Sequence, residues 1–313
     1  MTHGILLIDK PEGFTSNDVV SIIRRRLNRS VKVGHTGTLD PAASGLLVML
    51  LGSATRALDF LDETRKHYQV TIRLGEESDT CDKEGNITIA GDPQTLSHDE
   101  IDACLKSFLG PTDQIPPYFS AIKKDGIPLY KLARKGIFPD LEIRKIEIYE
   151  LSILDWRSPD LKIDLICSKG TYARALARDI GVRLGVGGRV ETLRRVASGK
   201  FRIENAHSLD SVKCVEIEAI QKSLIQLEDA LDHLPEMRVS DNDFRRLALG
   251  GYVAEDMDKL LPEIERTSAV GNVYRVQDDD SHIVVLVRRE FSEQGMFLKP
   301  IKVFNLHSQS TIE

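Results

Sequence analysis

Apolar and polar positions alternate with two different periods along this chain, and each change of period marks a new element. Ile5 to Ile8 is a short apolar run that reads as a strand, closed by the turn chemistry of Asp9-Lys10-Pro11-Glu12-Gly13. Val19, Val20, Ile23 and Leu27 then recur at helical spacing behind Thr15 and Asp18, a capping-box arrangement with a shorter acid. Leu46 to Leu51 is continuously apolar and stops at Gly52, which predicts a buried strand; Ala54 to Leu61 predicts a helix packing Ala57, Leu58 and Leu61. From Tyr68 to Leu74 the period drops to two, with Tyr68, Val70, Ile72 and Leu74 on one face. Leu96 to Leu109 reads as a helix, and Glu142 to Trp156 with Leu161 to Cys167 as antiparallel strands about an Arg157 to Asp160 turn. Tyr172, Leu176, Ile180 and Leu184 form the buried stripe of a further helix, with Arg174 and Arg178 off that stripe.

Beyond Leu209 the pattern becomes acidic and helical, with Ile217 to Leu231 a linker helix. A second unit follows from Pro235: Val239 to Leu247 begins it, Gly250-Gly251 breaks it, and Val273 to Val276 and Ile283 to Val287 are short strands around Asp278 to Asp280. The expected division is residues 1–232 and 233–313.

Composition excludes several classes. A chain of 313 residues, 41% hydrophobic and 29% charged, has the make-up of a soluble globular protein. No apolar stretch approaches the ~20 residues that cross a bilayer, and the start leads into a strand rather than a signal, so the expected location is the cytoplasm. Four cysteines without a Cys-x-x-Cys pair, and eight histidines without His-x-x-x-His spacing, suggest no zinc ribbon, redox motif or metal enzyme. Gly185 to Gly188 lacks the spacing of a dinucleotide loop.

Charge changes the picture more. The net charge of -6 argues against a polyanionic partner, yet Ser120 to Arg202 carries 18 Lys and Arg against 10 Asp and Glu. That basic middle suits one face meeting phosphates, or a merely solvated face. Arg24, Arg25, Arg26 and Arg29 could add to it, and Pro111 to Ile127 sets Tyr118 and Phe119 beside Lys123 and Lys124, a combination suited to looped RNA. From Glu236 onward 14 acidic residues outnumber 10 basic ones, which speaks against strong independent RNA binding there.

The candidate chemistry centres on the loop Gly34-His-Thr-Gly-Thr-Leu-Asp-Pro-Ala-Ala-Ser-Gly-Leu-Leu. Asp40 precedes Pro41, whose ring keeps it on extended backbone, and Gly34, Gly37 and Gly45 permit turns or close approach. On these residues alone, a turn-opening Asp-Pro and a rigidly held catalytic acid both remain open.

The whole string resembles the catalytic motif of the tRNA pseudouridine synthase B family. Further stretches match that family's motifs in order: Asp9 to Ser16, Lys66-His67-Tyr68 with Arg73-Leu74-Gly75 and Asp79-Thr80-Cys81-Asp82, Gly170-Thr171-Tyr172-Ala173-Arg174, and Thr192-Leu193-Arg194-Arg195. The resemblance implies an α+β fold, a large mixed and mainly antiparallel sheet flanked by helices, with a small C-terminal PUA-like β-barrel. It implies an isomerase converting uridine 55 in the T-loop of tRNA to pseudouridine, with no cofactor and no metal. The T-arm stem-loop would be its partner, with no protein partner required and a monomeric state. The implied site has Asp40 as catalytic carboxylate, Arg174 paired with it and Tyr68 stacked on the base. His35 would fill the position the base vacates, Leu193 would form an apolar wall, Asp82 would hold an arginine, and Tyr172 and Lys10 would complete the substrate contacts. Competing expectations are a guide-RNA-dependent subunit with the same chemistry, an RNA-binding folding factor with secondary activity, and a glycoside hydrolase, which would want a second carboxylate.

Overall fold

The computed structural model describes residues 2–27, 29–62, 64–254, 273–277, 283–292 and 295–305. Strands β1 (Gly4–Lys10), β2 (Val33–His35), β3 (Ala43–Leu51) and β4 (Arg65–Leu74) come first, followed by a hairpin of β5 (Glu76–Ser78) and β6 (Ile87–Ile89). Next are β7 (Gly110–Gln114), a hairpin of β8 (Lys123–Lys124) and β9 (Ile127–Pro128), then β10 (Arg144–Arg157) and β11 (Asp160–Ser168). β12 (Gly188–Ser198), β13 (Phe201–Arg202) and β14 (His207–Ser208) complete the large sheet. Helices α1 (Ser16–Arg26), α2 (His98–Lys106), α3 (Leu129–Ala133), α4 (Ala173–Arg183), α5 (Leu209–Cys214), α6 (Ile217–Lys222), α7 (Leu227–Ala230) and α8 (Asp241–Ala248) are interspersed.

The large sheet runs β14-β1-β3-β12-β4-β11-β10-β7, with β2 added on β3 and β13 on β12. Only the β1/β14 and β3/β12 pairs are parallel, so the expected α+β class with a mixed, mainly antiparallel sheet is what the chain forms. β12 matters most. It comes late in the chain yet inserts between β3 and β4, registering Leu193 with Ala43 and Val70, and Arg195 with Gly45 and Tyr68.

Alternation divides the sheet between two cores. Leu6, Ile8, Leu47, Met49 and Leu51 face α1, α2 and α4 through Val19, Ile23, Ile101, Leu176 and Ile180. Ile5, Leu7, Leu46, Val48 and Leu50 face the other way, onto Ala54, Ala57, Leu227 and Leu231. With both faces covered, this part of β3 has no need of polar positions, which is why Leu46 to Leu51 is an unbroken apolar run. α1 starts as anticipated: the Thr15 hydroxyl accepts from the Asp18 amide, and the Asp18 carboxylate accepts from the Thr15 amide at 2.8 Å.

A second, four-stranded antiparallel sheet has the order β15 (Val253–Ala254), β18 (Gly295–Asn305), β17 (Ile283–Ser292), β16 (Val273–Gln277). α8 covers one face with Phe244 and Leu247, and Val284, Leu286 and Phe304 join the core beneath β1 and β3. Asp278 to Asp280 lie outside the described residues.

Three expectations need correction. Ala54 to Leu61 is not an α-helix but two 3-10 turns, Gly52–Arg56 and Leu58–Phe60, and Leu58 is exposed while Ala54, Ala57 and Leu61 are buried. Ile217 to Leu231 is not one helix: Ile225 leaves the helical path to exchange backbone hydrogen bonds with Ile5, each 2.9 Å long, and splits it into α6 and α7. The basic middle is not one exposed face either, because Arg174, Arg189 and Arg195 are buried. Among the described residues no helix is long and apolar enough to cross a membrane.

Candidate active site

The Asp40 loop joins β2 to β3 and is gripped from below by the segment Asp9 to Ser16. The buried Ser16 hydroxyl donates to the Leu39 carbonyl at 3.1 Å and accepts from the Leu39 amide at 2.9 Å. The Gly13 amide donates to the Pro41 carbonyl at 2.9 Å. Lys10, expected to touch substrate, is instead fully buried beneath the loop, where its ammonium donates to the carbonyls of Phe14 at 2.8 Å and Pro11 at 3.0 Å. Burial pushes that ammonium down to about 8 against the pull of Asp40 and Glu12. Lys10 is a prop for the loop, outside the groove lining.

Arg174 and Asp40 meet. The guanidinium Nε lies 2.9 Å from the Asp40 carboxylate, and Nη1 lies 3.3 Å from that of Asp82. The same fork donates to the carbonyls of Thr80 at 3.0 Å and Phe119 at 2.9 Å. One cation thus ties the Asp40, Asp82 and Phe119 loops together, a planar geometry lysine cannot reproduce. Asp82 is held in turn by the Thr80 hydroxyl at 2.6 Å and the Glu84 amide at 3.0 Å. Arg174 can reach all of them because α4 begins at the sheet edge. There the Gln114 side chain brackets the Tyr172 peptide, accepting from its N–H at 2.9 Å and donating to its carbonyl at 3.1 Å.

Above this cluster a groove encloses about 300 Å³, within the range of small-molecule sites. Its lining includes Asp40, Tyr68, Tyr172, Arg174 and Leu193. Arg174 is buried, whereas the Asp40 side chain is 37% exposed and faces the groove. Burial raises the phenol pKa of both Tyr68 and Tyr172 above the ordinary value. His35 is half-buried at the end of β2 and does not line the groove; the lining of this loop begins at Gly37. Asp82 lines the adjoining crevice with Asp40, Arg174 and Leu193.

Two lining cations went unassigned in the sequence reading. Lys66 is buried and donates to the Ser198 hydroxyl at 2.6 Å, and Arg195 is buried with its guanidinium under the Asp40 loop. Period two was the available signal, since Lys66 shares a face of β4 with Tyr68, and Arg195 a face of β12 with Leu193.

One groove-facing carboxylate held by a buried arginine, with a tyrosine and a leucine in the same lining, makes an acid site on a mixed α+β sheet. Comparison makes the class specific: residues 24–173 match the TruB family pseudouridylate synthase N-terminal domain, and residues 174–234 match the tRNA pseudouridylate synthase B C-terminal domain. A protein of Clostridium perfringens named tRNA pseudouridine synthase B is 39% identical over 302 residues, covering 96% of this chain and 99% of that one. A protein of the same name from Syntrophotalea carbinolica is 42% identical over 255 residues, covering 82% and 83%. Among solved structures, a Cbf5-Nop10-Gar1 complex superposes with a TM-score of 0.69 at 26% identity, covering 96% of this chain and 85% of that chain. An H/ACA RNP bound to a substrate RNA containing 2'-deoxyuridine gives 0.68 at 25%, with the same coverage. The chain belongs to the TruB family of pseudouridylate synthases and is therefore an isomerase. The boundary between the two matched segments falls at the start of α4. Both segments contribute strands to the one large sheet.

Proposed function

We propose that this chain converts uridine 55 in the T-loop of tRNA to pseudouridine, acting on bare tRNA as a monomer. The observation that carries the reading is the Asp40 carboxylate, 2.9 Å from Arg174 and open to a groove of about 300 Å³. The relatives named tRNA pseudouridine synthase B support the choice of substrate.

The reaction breaks the bond from ribose C1' to uracil N1 and forms one from C1' to C5. N1 gains a proton and C5 loses one, so the isomerisation is redox-neutral. Asp40 acts on the ribose as the glycosidic bond breaks, as nucleophile or as base, and Arg174, 2.9 Å away, holds it aimed. The uridine leaves its stack to reach the acid, at a cost of a few kcal/mol. Tyr68 stacks on the base, Leu193 and Tyr172 exclude water from it, and Asp82 holds the Arg174 fork. His35, beside the groove, occupies the position the base leaves. The second sheet is the core of a PUA-like module that extends the tRNA contact.

The test is pseudouridine formation in a T-arm transcript with the purified protein alone. Asp40→Asn is expected to bind the transcript as wild type does and form no pseudouridine. Turnover by that variant would remove Asp40 from its role, and a wild-type requirement for added protein or guide RNA would overturn the stand-alone reading.

A further inference from the structure

We infer that Arg195 is a positioning residue for the reaction: it sets the spacing between the Asp40 loop and Tyr68, a role that rests on the proposed function above. Its side chain is among the largest fully buried ones in the described residues, and it hydrogen-bonds the strand and loop on either side of Asp40. Nε donates to the Leu46 carbonyl on β3 at 2.7 Å, and Nη2 donates to the Gly37 carbonyl at 3.0 Å. Those two carbonyls bracket Asp40, so one guanidinium pins both limbs of the loop that carries it. Across the sheet Arg195 is the register partner of Tyr68, so the two side chains share a face of the sheet, and its charge opposes the burial that raises the Tyr68 phenol.

The backbone enforces the same placement. Gly45, the register partner of Arg195 on β3, has φ +104°, and a Cβ built there would sit 2.3 Å from the Arg195 carbonyl oxygen. Glycine is what lets β12 seat closely enough for the side chain to pass under the loop. Two carbonyls in separate directions, with the Tyr68 side chain on the same face, need a planar fork, whereas an ammonium on a flexible stem cannot hold both carbonyls in that geometry. Although Arg195 borders the groove, it is buried and its guanidinium is committed to the Leu46 and Gly37 carbonyls, so it acts through Asp40 and Tyr68 rather than on the substrate.

The experiment is Arg195→Lys, alone and combined with Tyr68→Phe, with kcat, KM and T-arm affinity measured on full-length protein. Displacing a reacting group by about 1 Å costs on the order of 100-fold. Arg195→Lys should therefore lower kcat by about 100-fold while affinity and KM stay near wild type. In the Tyr68→Phe background the same change should cost several-fold less, because part of what Arg195 positions is already gone. Near-normal kcat for Arg195→Lys, a loss confined to KM, or equal losses in both backgrounds would each overturn the inference. A wild type that makes no pseudouridine in T-arm RNA would instead overturn the proposed function. Should Arg195→Lys not fold, side-chain NMR of wild type and Tyr68→Phe decides: the Arg195 N–H signals should exchange slowly and one should shift on losing the phenol. Fast exchange, or no shift, would sink the proposal.

Discussion

Replacing Arg174 with methionine strands a buried carboxylate. The Asp82 side chain is 7% exposed and that of Arg174 6%, so this pair is out of water, whereas Asp40 is 37% exposed and its share of the interaction is screened. Deleting one partner of a buried pair costs about 3–5 kcal/mol, because the remaining charge is left uncompensated. Asp82 would keep its bonds from the Thr80 hydroxyl and the Glu84 amide, which soften the penalty, so the lower end applies, about 3 kcal/mol. At roughly 2–4 °C per kcal/mol, the unfolding midpoint of Arg174→Met should fall by on the order of 10 °C in a calorimetric scan. The revealing variant is Arg174→Met combined with Asp82→Asn. Neutralising the stranded acid should recover most of the lost midpoint, yet pseudouridine formation should remain abolished because Asp40 still lacks its cation. A single variant melting within about 1 °C of wild type, below the effect of losing even 1 kcal/mol, would refute the argument. So would a double variant less stable than the single one.

Other consequences follow from the same geometry. Gly45→Ala would place a Cβ 2.3 Å from the Arg195 carbonyl oxygen and 2.7 Å from its nitrogen, on backbone that cannot yield without parting β3 from β12. Strain and overpacking together should cost about 2–5 kcal/mol in denaturant unfolding, and unchanged stability would contradict the register. Lys10 offers a pH test. With its folded value near 8 and an ordinary value of 10.5, the folded state holds fewer protons than the unfolded one between those limits, so stability rises with pH across that window. The stability of wild type relative to Lys10→Met should therefore increase between pH 8 and 10, and a constant difference would mean that the ammonium is not desolvated.

Much of this molecule was readable from residue order alone, because the features concerned depend on near neighbours in the chain. The capping box at Thr15 and the apolar run Leu46 to Leu51 of β3 are of this kind. Where tertiary contacts compete, the reading failed. Ile225 gives up helical bonds for a pairing with Ile5, far away in sequence, and the 3-10 turns after Gly52 answer to the core beneath β3. Arg174 falls off the buried stripe by helical periodicity, and only the resemblance implied its pairing with Asp40; it is buried because its partners Asp40, Thr80, Asp82 and Phe119 arrive from three other loops. Arg195 shows the difference most clearly. Its identity lies in a short motif, but its work under the Asp40 loop exists only because β12 inserts between β3 and β4. Sequence determined which groups are present and how each short segment bends; the order of strands, which is set by burial summed over the whole chain, decided which of those groups meet.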